Sequence, residues 1–375
     1  MIYLDNAATS YPKPPSVAEA LLKALRDYGG NPGRGGHRLS LAAAEAVYDC
    51  RCAVADFFDA PSPESVVFTA GATASLNLAI TTAARRGMHV LLSDREHNAV
   101  ARPIYRLARE GIVEYEIYPT GGDVLSEIER RLRKNTGLLV ACHVSNVTGF
   151  ELPVERIGAL CRERGIRFVV DAAGSAGHLP ISLATLSCDA LCAPAHKGLL
   201  GIPGVGIAIL HDWEREQEFL VGGSGVDSLS RTMPQHLPER YEAGTLPTPS
   251  IVALSAAIRH LKGYGMERVM AEEGRLRDRL RRGLCKRSDL CVYEPENRLG
   301  PLLFTHKSVS PEEIAARLDR LGVCVRAGYH CAPLAHATVG TPRGGAVRVS
   351  PGITNRLRDV EEFLALLSHA LPEEK

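Results

Sequence analysis

Several polar residues of this 375-residue chain each follow a short apolar run, and their types could do chemistry together. His97 closes "VLLSDREH", Asn146 closes "LLVACHVSN", and Asp171 closes "FVVD". Lys197 stands beside His196 in "CAPAHKGLLG", a stretch with no amphipathic period to make it a surface helix. In "VVFTAGATASLNLAI" a glycine turn feeds Ala72 and Thr73 at a helix start, where free backbone N–H groups and a positive dipole end suit an anion such as phosphate. Each has a structural alternative. Thr73 or Asp171 can simply cap a helix, a lone histidine is more often a satisfied core residue, and an isolated lysine is usually solvated. Together the set suits pyridoxal phosphate. A lysine amine can form a Schiff base, a carboxylate can keep the pyridinium nitrogen protonated, and a helix N-terminus can hold the phosphate.

A second candidate is the thiol of Cys331 in "RAGYHCAPLAH". It is either part of a structural turn or a nucleophile presented to a substrate, and these eleven residues alone do not decide. The chain has ten cysteines, most inside apolar segments where a thiol behaves as a small hydrophobe. There is no C-x-x-C pair, and Cys50 and Cys52 would point to different faces of a helix. Neither a metal site nor a disulfide is expected. Cys331 stands apart because its surroundings are polar and rich in Gly and Pro.

What must position these residues is an alternation of helix and strand patterns. Helices are predicted at Pro15–Tyr28, Leu39–Phe58 and Ala72–Arg85, and buried strands at Val66–Thr69, His89–Ser93, Gly137–His143 and Arg167–Val170. Short apolar strands separated by helices argue for an α/β fold with a mostly parallel sheet, whose ligands gather at the strands' carboxyl ends. After "PTPS" the texture changes. A long charged helical region, Ile251–Cys285, leads to strands near Leu302–Thr305 and Val323–Arg326 and a terminal helix from Leu357. The expected organisation is an N-terminal segment (1–14) contributing to the site or the small domain, a large domain (15–250) and a smaller α+β domain (251–375). With 23% charged residues and a net charge of +1, no field attracts nucleic acid or an anionic membrane. No apolar run spans a bilayer and the N-terminus lacks a signal-peptide pattern, so a cytoplasmic location is expected.

In order and spacing, "YLDNAATS", "GATASLNLAI", "HVSNVTG", "DAAGSAGH", "HKGLLG", "YEAGT", "RAGYHCAP" and "VRVSPGITN" resemble the class V, fold-type I pyridoxal-phosphate enzymes of the cysteine desulfurase and selenocysteine lyase family. The cysteine segment is similar to that family's group II pattern. The resemblance implies that Lys197 is the Schiff-base lysine and proton shuttle, Asp171 the partner of the pyridine nitrogen, His97 the imidazole stacked on the ring, and Asn146 the amide near the phenolic oxygen. It makes Ala72, Thr73 and His196 phosphate ligands, and Thr245 a phosphate ligand from the neighbouring subunit of a homodimer. Arg348 would clamp the substrate carboxylate, Asn6 would lie near the substrate, and Cys331 would accept sulfur from L-cysteine for transfer to an acceptor protein in iron–sulfur or thio-cofactor assembly. His330 or the cofactor's own groups could raise the thiolate fraction of Cys331. The alternative is a class V aminotransferase or carbon–sulfur lyase that does not use Cys331.

The chain departs from the family pattern at Gly174, where Gln is usual, at Pro194, where Ser or Thr is usual, and at Tyr329, where His is usual. From sequence alone, Gly174→Gln is expected to restore a cofactor contact and strengthen retention or rate, with Ser175 a candidate for filling the gap meanwhile.

Overall fold

The computed structural model describes residues 1–33, 35–214, 216–293 and 300–371. A short strand β1 (Ile2–Tyr3) opens the chain. One sheet is then laid down by β2 (Val66–Thr69), β3 (Met88–Ser93), β4 (Val113–Tyr118), β5 (Thr136–Cys142), β6 (Arg167–Asp171), β7 (Ala190–Pro194) and β8 (Gly206–Leu210). Its order is β2-β8-β7-β6-β5-β3-β4. Only β8 runs against its neighbours, so β2, β3, β5, β6 and β7 all end at one edge.

The strands are apolar throughout because both faces are covered. In β5, Leu139 and Ala141 pack into one core while Leu138 and Val140 pack into the other, the period of two that a pleated strand imposes. The helix Ala72–Ala83 lies on the second face and buries Leu76, Leu78, Ala79 and Ile80. On the first face the helices Arg38–Phe57 and Thr248–Tyr264 contribute Val47, Val54, Leu254 and Ile258.

Later strands β9 (Leu290–Tyr293), β10 (Leu302–His306), β12 (Arg326–Gly328) and β13 (Ala346–Val349) form an antiparallel sheet, order β12-β13-β10-β9. The short β11 (Val323–Cys324) pairs in parallel with β1 instead. Ile2 and Leu4 therefore pack in the small sheet's core with Leu302, Phe304 and Val347.

Two sequence expectations change. The region Ile251–Cys285 is two helices, Thr248–Tyr264 and Met266–Leu284, broken at Gly265, whose φ of 91° a helix cannot contain. The run Val323–Arg326 is two strands with different partners, which forces the chain to change direction between Cys324 and Arg326. Elsewhere the predicted elements stand within a residue or two, β2 without any shift.

Candidate active site

A cavity of about 720 Å³ opens where the carboxyl ends of β2, β3, β5, β6 and β7 meet the small sheet, within the usual size range of small-molecule sites. Ala72, Thr73, His97, Asn146, Asp171, His196, Lys197 and Arg348 all line it. The sequence placed all of these but Arg348 at strand ends, and the topology brings them together, with Arg348 reaching the cavity from β13 of the small sheet. Asn6 lines an adjoining smaller pocket that shares Asn146 and Lys197.

Lys197 follows β7 in a tight turn closed by Leu200 N–H to the Lys197 carbonyl (2.8 Å). Burial pulls its amine down to about 8, with Asp171 opposing that shift. The lysine's backbone is clamped from the N-terminal segment. Ser10 N–H (3.0 Å), Thr9 Oγ1 (3.0 Å) and Lys13 Nζ (2.7 Å) all donate to the His196 carbonyl, and Ser10 Oγ donates to that of Lys197 (2.9 Å). Thr9 and Ser10 lie in the motif "YLDNAATS", but no sequence signal gave them or Lys13 a hold on the lysine's backbone.

Asp171 ends β6 with one oxygen accepting from Ala173 N–H (2.9 Å), and burial raises its carboxyl above the ordinary range. A buried carboxylate pushed that way gains from a cation beside it. His97 caps the helix Asn98–Arg109, its Nδ1 accepting from Ala99 N–H (3.0 Å). Burial and then Lys197 push the imidazole down to about 4, so it is neutral and carries its proton on Nε2. Thr73 does not cap its helix. Gly71 holds the N-cap position, leaving the Thr73 side chain to face the cavity.

Asn146 has a structural task that sequence missed. Its Nδ2 donates to the His330 carbonyl (2.9 Å), and its own carbonyl accepts from Arg348 Nη1 (3.0 Å). Arg348 is fully buried and donates Nη2 to Asp5 Oδ1 (2.7 Å), while Nε has no protein partner. Arg326 and His330 line the same cavity. The adjoining Cys331 is exposed at its edge, with its Sγ 3.7 Å from Arg326 Nη2. Exposure does not single it out, since Cys285 and Cys291 are exposed too. Thr245 is exposed, lies outside this cavity and accepts from Asn31 Nδ2 (3.2 Å).

The donor set fits pyridoxal phosphate. Buried His196 Nδ1 has no protein partner, and the first N–H groups of the helix Ala72–Ala83 lie beyond intrahelical bonding. A carboxylate, a neutral imidazole and a lysine of lowered basicity complete the lining.

The departures have physical consequences. A Cβ on Gly174 would stand 2.3 Å from the Val144 carbonyl oxygen, so the site has no room for Gln there as it stands. This overturns the expectation that Gly174→Gln helps. Ser175 does not fill the gap, because its hydroxyl is turned to the Ala172 carbonyl (3.4 Å). Tyr329 has its own anchor, its hydroxyl accepting from Gly344 N–H (3.1 Å).

Fold and site together define a class V enzyme of the pyridoxal-phosphate type, and the aminotransferase class-V family matches residues 2–363. The chain belongs to that family. It is 32% identical to a probable cysteine desulfurase of Pyrococcus abyssi, over 98% of this chain and 93% of that one. A cysteine desulfurase of Salmonella agona is 31% identical over the same shares. The apo structure of cysteine desulfurase from Thermococcus onnurineus NA1 superposes with a TM-score of 0.90 at 32% identity, covering 98% of this chain and 94% of that one. Within the family, the chain groups with the cysteine desulfurases.

Proposed function

We propose that this chain is a pyridoxal-phosphate-dependent cysteine desulfurase that converts L-cysteine to L-alanine and takes the sulfur onto Cys331 as a persulfide. The observation that carries the reading is the convergence of Lys197, Asp171, His97 and Arg348 on one cavity with an exposed thiol at its edge. Lys197 would hold the cofactor covalently, Asp171, His97 and Asn146 would contact its ring, and Ala72, Thr73 and His196 its phosphate. When bound, the cofactor withdraws electron density from the substrate's α-carbon.

The chain's own residues then have defined tasks. Arg348 lines the cavity, and the N–H groups not taken by Asp5 and Asn146 would meet the substrate carboxylate. Lys197, with its amine lowered to about 8, has a usable uncharged fraction near neutral pH and moves the α-proton. Cys331 gives up its proton and attacks the substrate sulfur. The new S–S bond forms as the substrate's Cβ–S bond breaks, and the electron pair of that bond stays with the carbon skeleton. Protonation there releases L-alanine.

The reading includes a homodimer with shared sites. Thr245 lies outside its own chain's cavity, and Leu22, Leu25, Leu39, Leu41, Phe219 and Leu229 are exposed apolar side chains that a partner would cover. A sulfur-acceptor protein would then collect the persulfide. No helix among the described residues is long and apolar enough to cross a membrane.

The test is to give the cofactor-loaded enzyme cysteine, selenocysteine and cysteine sulfinate in parallel and identify the products. Alanine and a Cys331 persulfide from cysteine support the reading. A keto acid without alanine favours the aminotransferase alternative, and activity on selenocysteine alone favours a lyase.

A further inference from the structure

His330 and Cys331 adopt φ of 51° and 57°, two consecutive non-glycine residues in the left-handed region. Side chains disfavour that region, so such a pair persists only where its surroundings hold it. Here both carbonyls are tied to the large sheet's edge. Asn146 Nδ2 donates to the His330 carbonyl (2.9 Å), and Asn98 N–H donates to that of Cys331 (2.8 Å). Asn98 directly follows His97, so the thiol loop is tied to the chain at one residue assigned to the cofactor ring and directly beside another.

A second set of bonds fixes the His330 ring. Its Nε2 lies 3.1 Å from the Arg326 carbonyl and its Nδ1 3.0 Å from His336 Nε2; His336 Nδ1 lies 2.9 Å from Thr341 Oγ1. A carbonyl can only accept, so His330 carries its proton on Nε2 and offers a lone pair at Nδ1. His336 must then donate through Nε2 and accept from the Thr341 hydroxyl. Burial depresses both imidazoles, to about 3 and about 4, which keeps one proton on each ring. The two rings lie nearly parallel, 5.2 Å apart, and both are buried. The one basic nitrogen of His330 is already occupied.

We infer that His330 is a strut and not the base for the Cys331 thiol, and that Asn98 and His336 are positioning residues that hold this thiol at the cavity edge. The inference deepens the reading of Cys331 as sulfur acceptor and rests on it.

The chain permits a clean test. Asn98 is the first residue of its helix and His97 before it is extended (φ −73°, ψ 155°), a place where proline fits. Asn98→Pro removes the N–H that binds the Cys331 carbonyl. His336→Phe keeps a flat ring but deletes the donor, and His336→Gln restores an N–H. The readouts on the cofactor-loaded enzyme are persulfide formation from cysteine and the iodoacetamide rate at Cys331, resolved by peptide mass spectrometry with Cys285 and Cys291 as references. Asn98→Pro and His336→Phe should each slow persulfide formation about tenfold or more and change Cys331 alkylation several-fold relative to the references, with cofactor loading unchanged. His336→Gln should stay within about twofold of the parent. The pH midpoint of Cys331 alkylation should not move in His336→Phe.

Parent-like persulfide formation and alkylation in Asn98→Pro or in His336→Phe overturns the assignment of that residue, and a moved midpoint overturns the strut. Either variant decides if the other fails to fold. The desulfurase reading fails separately, if Cys331→Ser keeps full alanine production, and the alkylation rates still judge the loop.

Discussion

Replacing Gly174 tests the packing of the site directly. Gly174→Ala adds one Cβ, 2.3 Å from the Val144 carbonyl oxygen, where a contact under 3.0 Å is not sustained. One side must therefore retreat by about 0.7 Å. Val144 has little freedom to do so: it is buried, bridges to Glu151, and is flanked by bonds from His143 N–H to the Asp171 carbonyl (2.9 Å) and from Ser145 N–H to the Phe150 carbonyl (2.8 Å). Overpacking of this kind costs ~1–3 kcal/mol. At about 1.3 °C per kcal/mol for a chain of this length, the fall in Tm is ~1–4 °C.

The catalytic cost should be larger than the stability cost. Two residues beyond Val144, Asn146 holds both Arg348 and the His330 carbonyl. A displacement there moves Arg348, the proposed carboxylate clamp, and the thiol loop together, and ~1 Å of misplacement can cost ~10²-fold in rate. The assay compares parent, Gly174→Ala and Gly174→Gln by calorimetry, by cofactor retained on dialysis and by alanine production. Alanine at 174 reports the steric effect alone, and glutamine adds the amide that the family pattern implies. Both should melt lower and run at least about tenfold slower. If Gly174→Gln instead melts at or above the parent and keeps cofactor better, Val144 yields freely and the reasoning is refuted.

Lys197→Ala should abolish the cofactor's visible absorbance and turnover together; a variant that still binds cofactor covalently would place the attachment elsewhere. Cys331→Ser should keep cofactor and bind cysteine, seen as a spectral change on its addition, yet lose persulfide and fall at least ~10²-fold in alanine formation. Glu96 is fully buried, accepts from Ser93 Oγ and Cys142 N–H, and is raised by burial from 4.5 to about 8. Its proton is kept in the fold but lost from the unfolded chain between those values, so stability falls as pH rises through that window. Glu96→Gln should flatten the fall, gaining on the order of a few kcal/mol over the parent at pH 8, and denaturation curves that stay parallel from pH 5 to 8 would contradict this.

Much of the site was legible because parallel strands buried on both faces read as apolar runs, and the polar residues just beyond each run stand where the sheet meets solvent. That logic found His97, Asn146, Asp171 and Lys197. It could not find contacts that depend on distant chain. The clamp on Lys197 comes from Thr9, Ser10 and Lys13, nearly two hundred residues earlier, in a segment without helix or strand period. Glu96 was hidden beside His97, since nothing in "SDREHN" distinguishes a buried carboxyl from a solvated one. The glycine at 174 looked like a missing amide because the obstacle to a side chain there is the Val144 carbonyl, in the segment that follows β5.

Arg348 shows why the two sheets must act as one site. Its Nη2 is spent on Asp5 in the N-terminal segment and its Nη1 on Asn146 beyond β5, while the residue itself belongs to β13. Three separate stretches of chain therefore fix one guanidinium, and its Nε–H and the second N–H of each Nη remain unspent. The Asp5 carboxylate already balances much of its charge, so the arginine attracts an incoming carboxylate less by net field than by a donor whose orientation is settled beforehand. The ordering entropy is met during folding and not at each turnover. The same economy applies to the thiol, since Asn146 ties the Cys331 loop with its side chain and Arg348 with its carbonyl. A residue assigned to the cofactor ring thus sets the distance between the proposed carboxylate clamp, Arg348, and the loop of the proposed sulfur acceptor, Cys331.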